Sequence, residues 1–207
     1  QSFLTTLARP QHPLQTMSHR LARAGLRWQR VPAVDGSALD LRRCADVDER
    51  GFRLRHGKRL NPAEVGCYLS HIQALKTFLD GPWSWALVLE DDADFPADFT
   101  SVVGQLIEGS GQWDILELSS FHGGAPVPVA DLPQARRLAV PLARLMNANC
   151  ILFNRHAAQV LVERLLPMTL PYDHALEQAF LFGLRLRTVT PVPCPAETGL
   201  PSTIGNR

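Results

Sequence analysis

The sequence of 207 residues predicts an α/β fold in one domain over residues 1–207, with a mixed, mostly parallel central sheet flanked by helices. Three observations lead to this prediction. Strand and helix patterns alternate from the start of the chain. The apolar run 85–89 (WALVL) has the length and continuity of a strand that is covered on both faces. No internal repeat or linker divides the chain.

The first sixty residues predict a strand, a helix and a second strand, followed by an irregular segment. Residues 3–7 (FLTTL) have the composition of a strand. Apolar residues recur at helical spacing over 13–24, and Gly25 is suited to end that helix. Residues 26–34 (LRWQRVPAV) predict the second strand. The segment 37–59 shows no clear periodicity, which indicates a solvated loop or short irregular helices.

The segment NPAE at 61–64 predicts the start of a long helix. Asn61 suits the N-cap, Pro62 the first helical position and Glu64 the third, and the helix should end at 80–82 (DGP). Apolar residues line one face, which we assign to the core: Val65, Tyr68, Leu69, Ile72, Leu75 and Leu79. The opposite flank carries mostly small residues, which allow another segment to pack closely: Gly66, Ser70, Gln73, Ala74 and Thr77.

Strand and helix patterns continue to alternate in the second half of the chain. The predicted elements are a strand at 85–89, a helix at 96–108, strands at 113–119, 136–140 and 149–153, helices at 154–166 and 173–182, and a last strand at 184–191. The Gly- and Pro-rich segment 121–134 (FHGGAPVPVADLPQ) is predicted to be a long loop, which is typical of lids and binding loops.

Charge and cysteine usage exclude several classes of function. Twenty-one Lys and Arg against 20 Asp and Glu leave a formal charge of +1, so we expect no nucleic-acid partner. The four cysteines form no Cys or Cys/His pair at zinc-ligand spacing and are expected to be free thiols. Because we find no signal peptide and no apolar run of about 18 residues, we expect a cytoplasmic protein. Basic residues over 19–30 fit peripheral contact with the inner face of the membrane, although solvated helix charges are the simpler interpretation.

The acidic segment 90–94 (EDDAD) directly follows the apolar run 85–89. Side chains alternate in an extended chain, so Glu90, Asp92 and Asp94 should point to one side and Asp91 to the other. Close carboxylates repel one another, and a divalent cation with oxygen ligands, Mg²⁺ or Mn²⁺, relieves that repulsion. Because open α/β sheets bind ligands at the carboxyl ends of their strands, we predict a metal site here. The alternative is that Asp94 only stabilises the next helix and the other acids are solvated.

Several segments together resemble glycosyltransferase family 25, the lipopolysaccharide-biosynthesis glycosyltransferases. They are RVPAVDG at 30–36, NPAEVGCYLSH at 61–71, WALVLEDDADF at 85–95, WDILELS at 113–119 and PSTIG at 201–205. The resemblance implies a GT-A fold, a UDP-sugar donor that carries galactose or another hexose, and transfer with inversion to a hydroxyl of a glycan or lipid-linked glycan acceptor. It also implies Mn²⁺ or Mg²⁺ held by the acidic segment. Because the metal would lie between the donor phosphates and the carboxylates, we choose Asp92 as the first ligand and Glu90 as the second, with Asp94 as a further candidate.

The same resemblance suggests which residues contact the donor. Ser70 and His71 lie in the 61–71 block and are predicted to reach the phosphates or ribose, and Asp91 and Arg9 are further predicted donor contacts. The first strand departs from the family pattern, because relatives have Asn-Leu-Asp before their arginines and this chain has Thr-Leu-Ala before Arg9. A donor contact expected from an early acid or amide is therefore absent or replaced.

An inverting transfer needs a carboxylate or imidazole that takes the proton of the acceptor hydroxyl. Asp173, in the segment LPYDHALEQAF, is our candidate for this base. The alternative is that Asp173 is an N-cap or first-turn acid of the helix predicted at 173–182.

Two other classes of function compete with a glycosyltransferase. Clustered acids also hold Mg²⁺ in metal-dependent phosphate hydrolases and nucleotidyltransferases, although the chain contains no G-x-x-x-x-G-K-[ST] loop. The other class is a sugar-nucleotide-binding or glycan-binding module without turnover, which the altered first strand keeps open. Product analysis separates the three, since a transferase yields UDP and a glycosylated acceptor and a phosphatase yields inorganic phosphate.

Overall fold

The computed structural model describes residues 1–6 and 12–194, which form eight strands and six α-helices around one sheet. The strands are β1 (Ser2–Thr6), β2 (Trp28–Pro32), β3 (Trp85–Glu90), β4 (Ile115–Glu117), β5 (Pro126–Leu132), β6 (Arg136–Pro141), β7 (Cys150–Asn154) and β8 (Leu186–Thr190). The helices are α1 (His12–Arg23), α2 (Glu49–His56), α3 (Pro62–Leu79), α4 (Phe99–Glu108), α5 (Arg155–Arg164) and α6 (Tyr172–Leu176). The α/β prediction is confirmed.

The sheet has the order β2-β1-β3-β7-β4-β8-β6-β5 and is mixed, as predicted, but its parallel character is only partial. Three of its seven neighbouring pairs are parallel: β1 with β2, β1 with β3, and β4 with β8. The remaining four pairs are antiparallel. The reason is that β5 and β6 are joined by a short hairpin, which only antiparallel strands can use, and that β7 runs in reverse between β3 and β4.

The segment 121–134, predicted to be a long loop, contains a strand instead. Its residues form β5, which pairs with β6 and is the last strand at one edge of the sheet. Pro126 and Pro128 suggested a loop because proline cannot donate to a β-ladder. An edge strand tolerates proline, and the pairing is irregular between Pro128 and Ala130. The prediction was wrong because edge position is not visible in the sequence.

Helices cover both faces of the sheet. On one face Val88, Ile115 and Ile151 pack with residues of α3, α5 and α6. On the other face Leu87 and Leu116 pack with residues of α1 and α4. The run 85–89 is therefore apolar on every residue because both sides of β3 are buried, as the sequence predicted.

The long helix α3 forms as its sequence predicts. The Asn61 side chain accepts a hydrogen bond from the Ala63 amide, Pro62 occupies the first turn, and the helix ends before Asp80. In the described ranges 1–6 and 12–194, no helix, α3 included, is both long and apolar enough to span a membrane.

The small-residue flank of α3 packs against the turn that follows β2. The Val34 amide donates to Ser70 Oγ at 2.8 Å, and Ser70 Oγ donates to the Gly66 carbonyl at 2.6 Å. A Cβ on Gly66 would lie 2.6 Å from the Val34 carbonyl oxygen and 2.8 Å from the Gly36 nitrogen, both of them backbone atoms that cannot move aside. Close packing of two backbones therefore explains this flank.

We expect Gly66→Ala to lower the free energy of unfolding by about 1–3 kcal/mol, because the new methyl group overpacks a backbone contact. The matched control is Thr77→Ala on the same helix, where the hydroxyl donates to the Gln73 carbonyl and the loss should stay within about 0.5 kcal/mol. Urea unfolding of both variants measures the difference. Equal losses would show that the contact at Gly66 relaxes without cost.

Candidate active site

Two glutamates at the ends of strands lie on the same face of the sheet. Because side chains alternate along a strand, Glu90 shares the face of Val88 and Glu117 shares the face of Ile115, and both of these apolar residues pack on the α3 side. The strand between them begins beside this edge, since the Glu90 amide donates to the carbonyl of Asn149. The carboxyl ends of β3 and β4 therefore form one polar edge beneath α3 and α6.

Glu90 faces helix α3 rather than the rest of the acidic segment. Its Oε1 lies 3.0 Å from His71 Nε2 and 3.3 Å from the Sγ of Cys67, which donates to it. Burial works to raise the pKa of Glu90, but the hydrogen bond and charge of His71, with the Cys67 hydrogen bond, outweigh it and hold the pKa below its usual value. Glu90 is consequently a carboxylate in a half-buried position, with 30% of its side chain exposed.

His71 is buried between Glu90 and helix α6. It is 1% exposed, and its ring stacks on Tyr172 of α6 with ring centroids 4.2 Å apart and planes 14° from parallel. The sequence prediction placed His71 at a ligand-binding position, and the structure brings it to the polar edge through Glu90. Cys67 lies one helical turn before His71, at i and i+4. The sequence prediction that no Cys/His pair has ligand spacing was therefore wrong.

The acidic segment does not continue as extended chain, so the predicted alternation of its side chains is wrong. The Ala93 amide donates to the Glu90 carbonyl, which makes a turn of residues 90–93. Asp94 is directed to α1 on the opposite face, where Arg20 Nε lies 3.5 Å from its Oδ1, and 53% of its side chain is exposed. The structure therefore separates Asp94 from Glu90, and Asp94 Oδ1 also accepts from the Phe95 amide.

Asp92 lies at this edge in a half-buried position. Its Oδ1 is buried without a hydrogen-bond partner among the described residues. Burial, and then the charges of Glu90 and Asp91, raise its pKa from 3.8 to about 6, and a hydrogen bond from the Asn149 side chain only partly opposes them. Asp92 thus experiences the carboxylate repulsion that the sequence predicted, although not through an extended chain.

Glu117 is a functional candidate that the sequence reasoning missed. It is 1% exposed, and within residues 1–6 and 12–194 neither of its carboxylate oxygens has a hydrogen-bond partner. Burial raises its pKa well above the usual value, and the charges of Glu177 and Asp173 act in the same direction. A buried acid that nothing satisfies is costly, and such groups gather at ligand sites. A signal was present in the sequence, since Glu117 is the one charged residue inside the apolar run ILEL.

Helix α6 brings the predicted base, Asp173, to the same edge. Asp173 is half-buried, and its Oδ1 accepts from the amide of His174, as a first-turn acid does. Its charge also acts on Cys67 and Glu117, which places it within electrostatic range of both. Just after α6, Glu177 Oε1 accepts from the amides of Leu145 and Met146 and so fixes the chain that leads into β7.

Several more buried polar atoms at this edge have no hydrogen-bond partner in the part of the chain that the structure describes. They are Ser119 Oγ, Asn147 Nδ2, Asn149 Oδ1 and the Tyr172 hydroxyl. Unsatisfied buried donors and acceptors are rare in native proteins. Their concentration around Asp92 and Glu117 indicates a site that a polar ligand completes.

The remaining predicted site residues have other positions. Ser70 is buried with its hydroxyl bonded to backbone on both sides, which makes it a packing residue. Asp91 is half-buried in the turn next to Asp92 and contributes to the charge there. Arg9 and the segment 201–205 lie outside the described residues, so their predicted roles stay predictions.

The buried acids give the protein a pH dependence of stability whose sign can be worked out. A carboxyl whose folded pKa is raised keeps a proton that the unfolded chain has released, so the free energy of unfolding falls as pH rises above the unfolded pKa. For Glu117 this fall begins at about its usual pKa of 4.5 and continues toward neutral pH. For Asp92 it is complete near pH 6.

Glu117→Gln removes this titration while keeping the shape of the side chain. We compare the free energy of unfolding of the variant with that of wild type in EDTA. Between pH 5 and pH 8 the difference should shift in favour of the variant by about 1–3 kcal/mol, which is the cost of an unsatisfied buried group. Urea titrations at the two pH values measure the change. A difference between variant and wild type that is the same at both pH values would contradict the raised pKa.

The family model and the curated relatives indicate one family. The model of a family described as "Glycosyltransferase family 25 (LPS biosynthesis protein)" matches residues 1–122. Procollagen galactosyltransferase 1 of Danio rerio is 25% identical over 185 residues, which cover 84% of this chain and 30% of that protein. A glycosyltransferase 25 family member of Drosophila pseudoobscura pseudoobscura is 31% identical over 104 residues, or 47% of this chain and 16% of that protein.

The chain thus spans less than a third of the length of these curated relatives. Among solved structures, apo UDP-glucose pyrophosphorylase superposes with a TM-score of 0.49 at 8% identity, and the match covers 95% of this chain and 91% of that one. At that score the likeness carries no conclusion about activity.

Proposed function

The chain belongs to glycosyltransferase family 25, and from that premise we propose that it transfers galactose or another hexose from a UDP-sugar to a hydroxyl of a glycan acceptor. We propose further that the acceptor is lipopolysaccharide or another lipid-linked glycan, that the mixed sheet is a GT-A fold, and that transfer inverts the anomeric carbon. The description of the family, which mentions LPS biosynthesis, supports a lipopolysaccharide acceptor. The names of the relatives, procollagen galactosyltransferases, support galactose as the sugar.

One observation carries this proposal. The carboxyl ends of β3 and β4 and the start of β7 bring together, at one sheet edge, acids and buried polar atoms that have no hydrogen-bond partner within residues 1–6 and 12–194. The charge of Asp173 acts on Glu117 at this edge. A sugar with its hydroxyls and a diphosphate supply the many donors and acceptors that such an edge requires. Ligands of open α/β sheets bind at this end of the strands.

The residues at this edge fit a divalent cation with oxygen ligands. Asp92 Oδ1 and Asn149 Oδ1 are buried oxygens without hydrogen-bond partners among the described residues, and burial, followed by the charges of Glu90 and Asp91, raises the pKa of Asp92. We propose that Asp92, with Asp91 and Asn149, holds Mn²⁺ or Mg²⁺. When bound, such an ion neutralises the charge that develops on the departing diphosphate.

Asp173 and Glu117 have different roles in the proposed transfer. Asp173 accepts the proton of the attacking hydroxyl while the acceptor oxygen bonds to the anomeric carbon and the bond from that carbon to the UDP oxygen breaks. Glu117, whose pKa burial raises, contacts the sugar, and in its protonated form the carboxyl group donates one hydrogen bond and accepts another. The products are UDP and the glycosylated acceptor, with the proton left on Asp173.

A thermal-shift screen of UDP-sugars tests the donor, because a ligand that binds only the folded state raises the melting temperature. We expect UDP-galactose with Mn²⁺ to raise it more than UDP-galactose with EDTA, and more than CDP- or GDP-sugars do. A transfer assay on a panel of glycan acceptors should then yield UDP and a glycosylated product in equal amounts. Inorganic phosphate as the product would indicate a hydrolase, and a shift without transfer would indicate a binding module.

A further inference from the structure

Three side chains of different chemistry converge where α3 meets the end of β3. Cys67 and His71 are four residues apart on one face of the helix, and Glu90 reaches them from the strand. Their ligating atoms Sγ, N and O all lie within 4.8 Å of one another. Among the described residues this is the one group of three Cys, His, Asp or Glu side chains that comes so close.

Two of the three spacings between these atoms are close to those of ligands around one tetrahedral ion. With ordinary Zn–N, Zn–O and Zn–S bonds, a tetrahedral zinc ion holds its nitrogen and oxygen ligands about 3.3 Å apart and its sulfur and oxygen ligands about 3.6 Å apart. The corresponding distances here are 3.0 Å from His71 Nε2 to Glu90 Oε1 and 3.3 Å from Cys67 Sγ to the same oxygen. Shifts of a few tenths of an ångström would admit the ion.

The surroundings favour a cation at this point. The stacked Tyr172 ring holds the His71 imidazole in place, so little order has to be gained on binding. Burial first, and then the negative charges of Glu90, Asp173 and Asp92, disfavour a free thiolate at Cys67. A divalent ion among these groups turns repulsion into attraction.

We propose that Cys67, His71 and Glu90 bind one thiolate-preferring transition-metal ion, Zn²⁺ in the first place, with three protein ligands and the fourth position open. The thiol releases one proton to solvent for each ion bound, because the thiolate is the ligand. Sulfur and imidazole ligands distinguish this site from the oxygen site at Asp92, since Mg²⁺ and Mn²⁺ prefer oxygen and Zn²⁺ takes sulfur and nitrogen. The inference does not depend on the proposed sugar transfer.

Cobalt is the probe, because Co²⁺ takes zinc sites and a thiolate ligand gives it a charge-transfer band in the near ultraviolet. We expect reduced protein, freed of metal with EDTA and dialysed, to develop this band up to one equivalent of Co²⁺, together with the intense visible bands of a four-coordinate ion. One equivalent of Zn²⁺ should remove them, and Mg²⁺ should not. A pH indicator in weak buffer should record release of about one proton per ion.

Variants identify the ligands in the same titration. Cys67→Ser should abolish the charge-transfer band, and Glu90→Gln should weaken Co²⁺ binding by about tenfold or more. The matched control is Cys44→Ser, at a half-buried free cysteine away from the cluster, which should titrate like wild type. Circular dichroism shows whether each variant is folded.

The wild-type titration decides the matter even if a variant does not fold. Absence of the near-ultraviolet band in wild type at 1 mM Co²⁺ would overturn the proposal. So would a band that survives in folded Cys67→Ser, or one that is lost in Cys44→Ser. Failure of sugar transfer would leave these spectra unchanged, so the two proposals are tested separately.

Discussion

Asp92→Asn should leave a folded protein whose affinity for a UDP-sugar is low and almost the same in Mn²⁺ as in EDTA. The substitution keeps the volume of the side chain and removes a negative charge from the acidic turn. A diphosphate approaching these acids is repelled unless a cation lies between them. We expect transfer to fall by more than the 10- to 100-fold that loss of an outer-shell partner of a metal ligand typically causes.

Calorimetric titration of UDP-galactose into wild type and Asp92→Asn, each in EDTA and in Mn²⁺, measures this effect. Asp94→Asn is the matched control, because Asp94 is exposed and paired with Arg20 on the other face of the sheet. It should bind donor like wild type. If wild type binds and transfers equally well in EDTA, the proposed cation has no role, and Asp91 and Asp92 must contact sugar hydroxyls directly.

Asp92→Asn also removes repulsion from the metal-free protein. The raised pKa of Asp92 means that its charge opposes folding at neutral pH. The melting temperature of the variant in EDTA at pH 7.5 should therefore be equal to or slightly above that of wild type. If the variant loses both thermal stability and affinity for the UDP-sugar, Asp92 also stabilises the fold.

Asp173→Asn should fold, bind metal and UDP-sugar, and lose most of its transfer rate. The amide cannot accept the proton of the acceptor hydroxyl, and loss of a general base reduces the rate by about 10²–10⁴-fold. Glu117→Gln separates the roles of the two acids. Because glutamine donates and accepts hydrogen bonds as a protonated glutamate does, this variant should keep its rate within about tenfold of wild type.

Single-turnover rates with saturating donor and acceptor test both variants. If the rate falls severely in Glu117→Gln and only mildly in Asp173→Asn, Glu117 is the general base and Asp173 is not. A near-normal rate in Asp173→Asn, with lowered thermal stability, would show that the carboxylate only bonds the His174 amide at the start of α6.

Local signals in the sequence predicted much of the scaffold. Asn61 and Pro62 mark the beginning of α3, and the run 85–89 marks β3, because capping and burial on both faces act over a few neighbouring residues. The acidic turn could be placed at a strand end for the same reason. The direction of its side chains could not, because the backbone hydrogen bond from Ala93 to Glu90 turns the chain where extended geometry had been assumed.

The rest of the site depends on contacts between distant segments. The apolar run around Glu117 was a signal, but the role of its carboxylate becomes visible when β4 lies beside β7 and the carboxylate is seen to be buried. The pairing of His71 with Glu90 joins a helix to a strand 19 residues later. Ser70 looked like a donor contact beside His71 until its hydroxyl was found between the Val34 amide and the Gly66 carbonyl. None of these relations has a periodicity that a single sequence reveals.

The prolines of the two outermost strands bear on self-association. An open sheet edge can template pairing with a second chain, and repeated pairing leads to aggregation. Pro32 lies in β2 at one edge, and Pro126 and Pro128 lie in β5 at the other. A proline has no N–H to donate to an incoming strand, and the register of β5 is interrupted between Pro128 and Ala130. Prolines in both edge strands therefore disfavour the addition of further strands to the sheet.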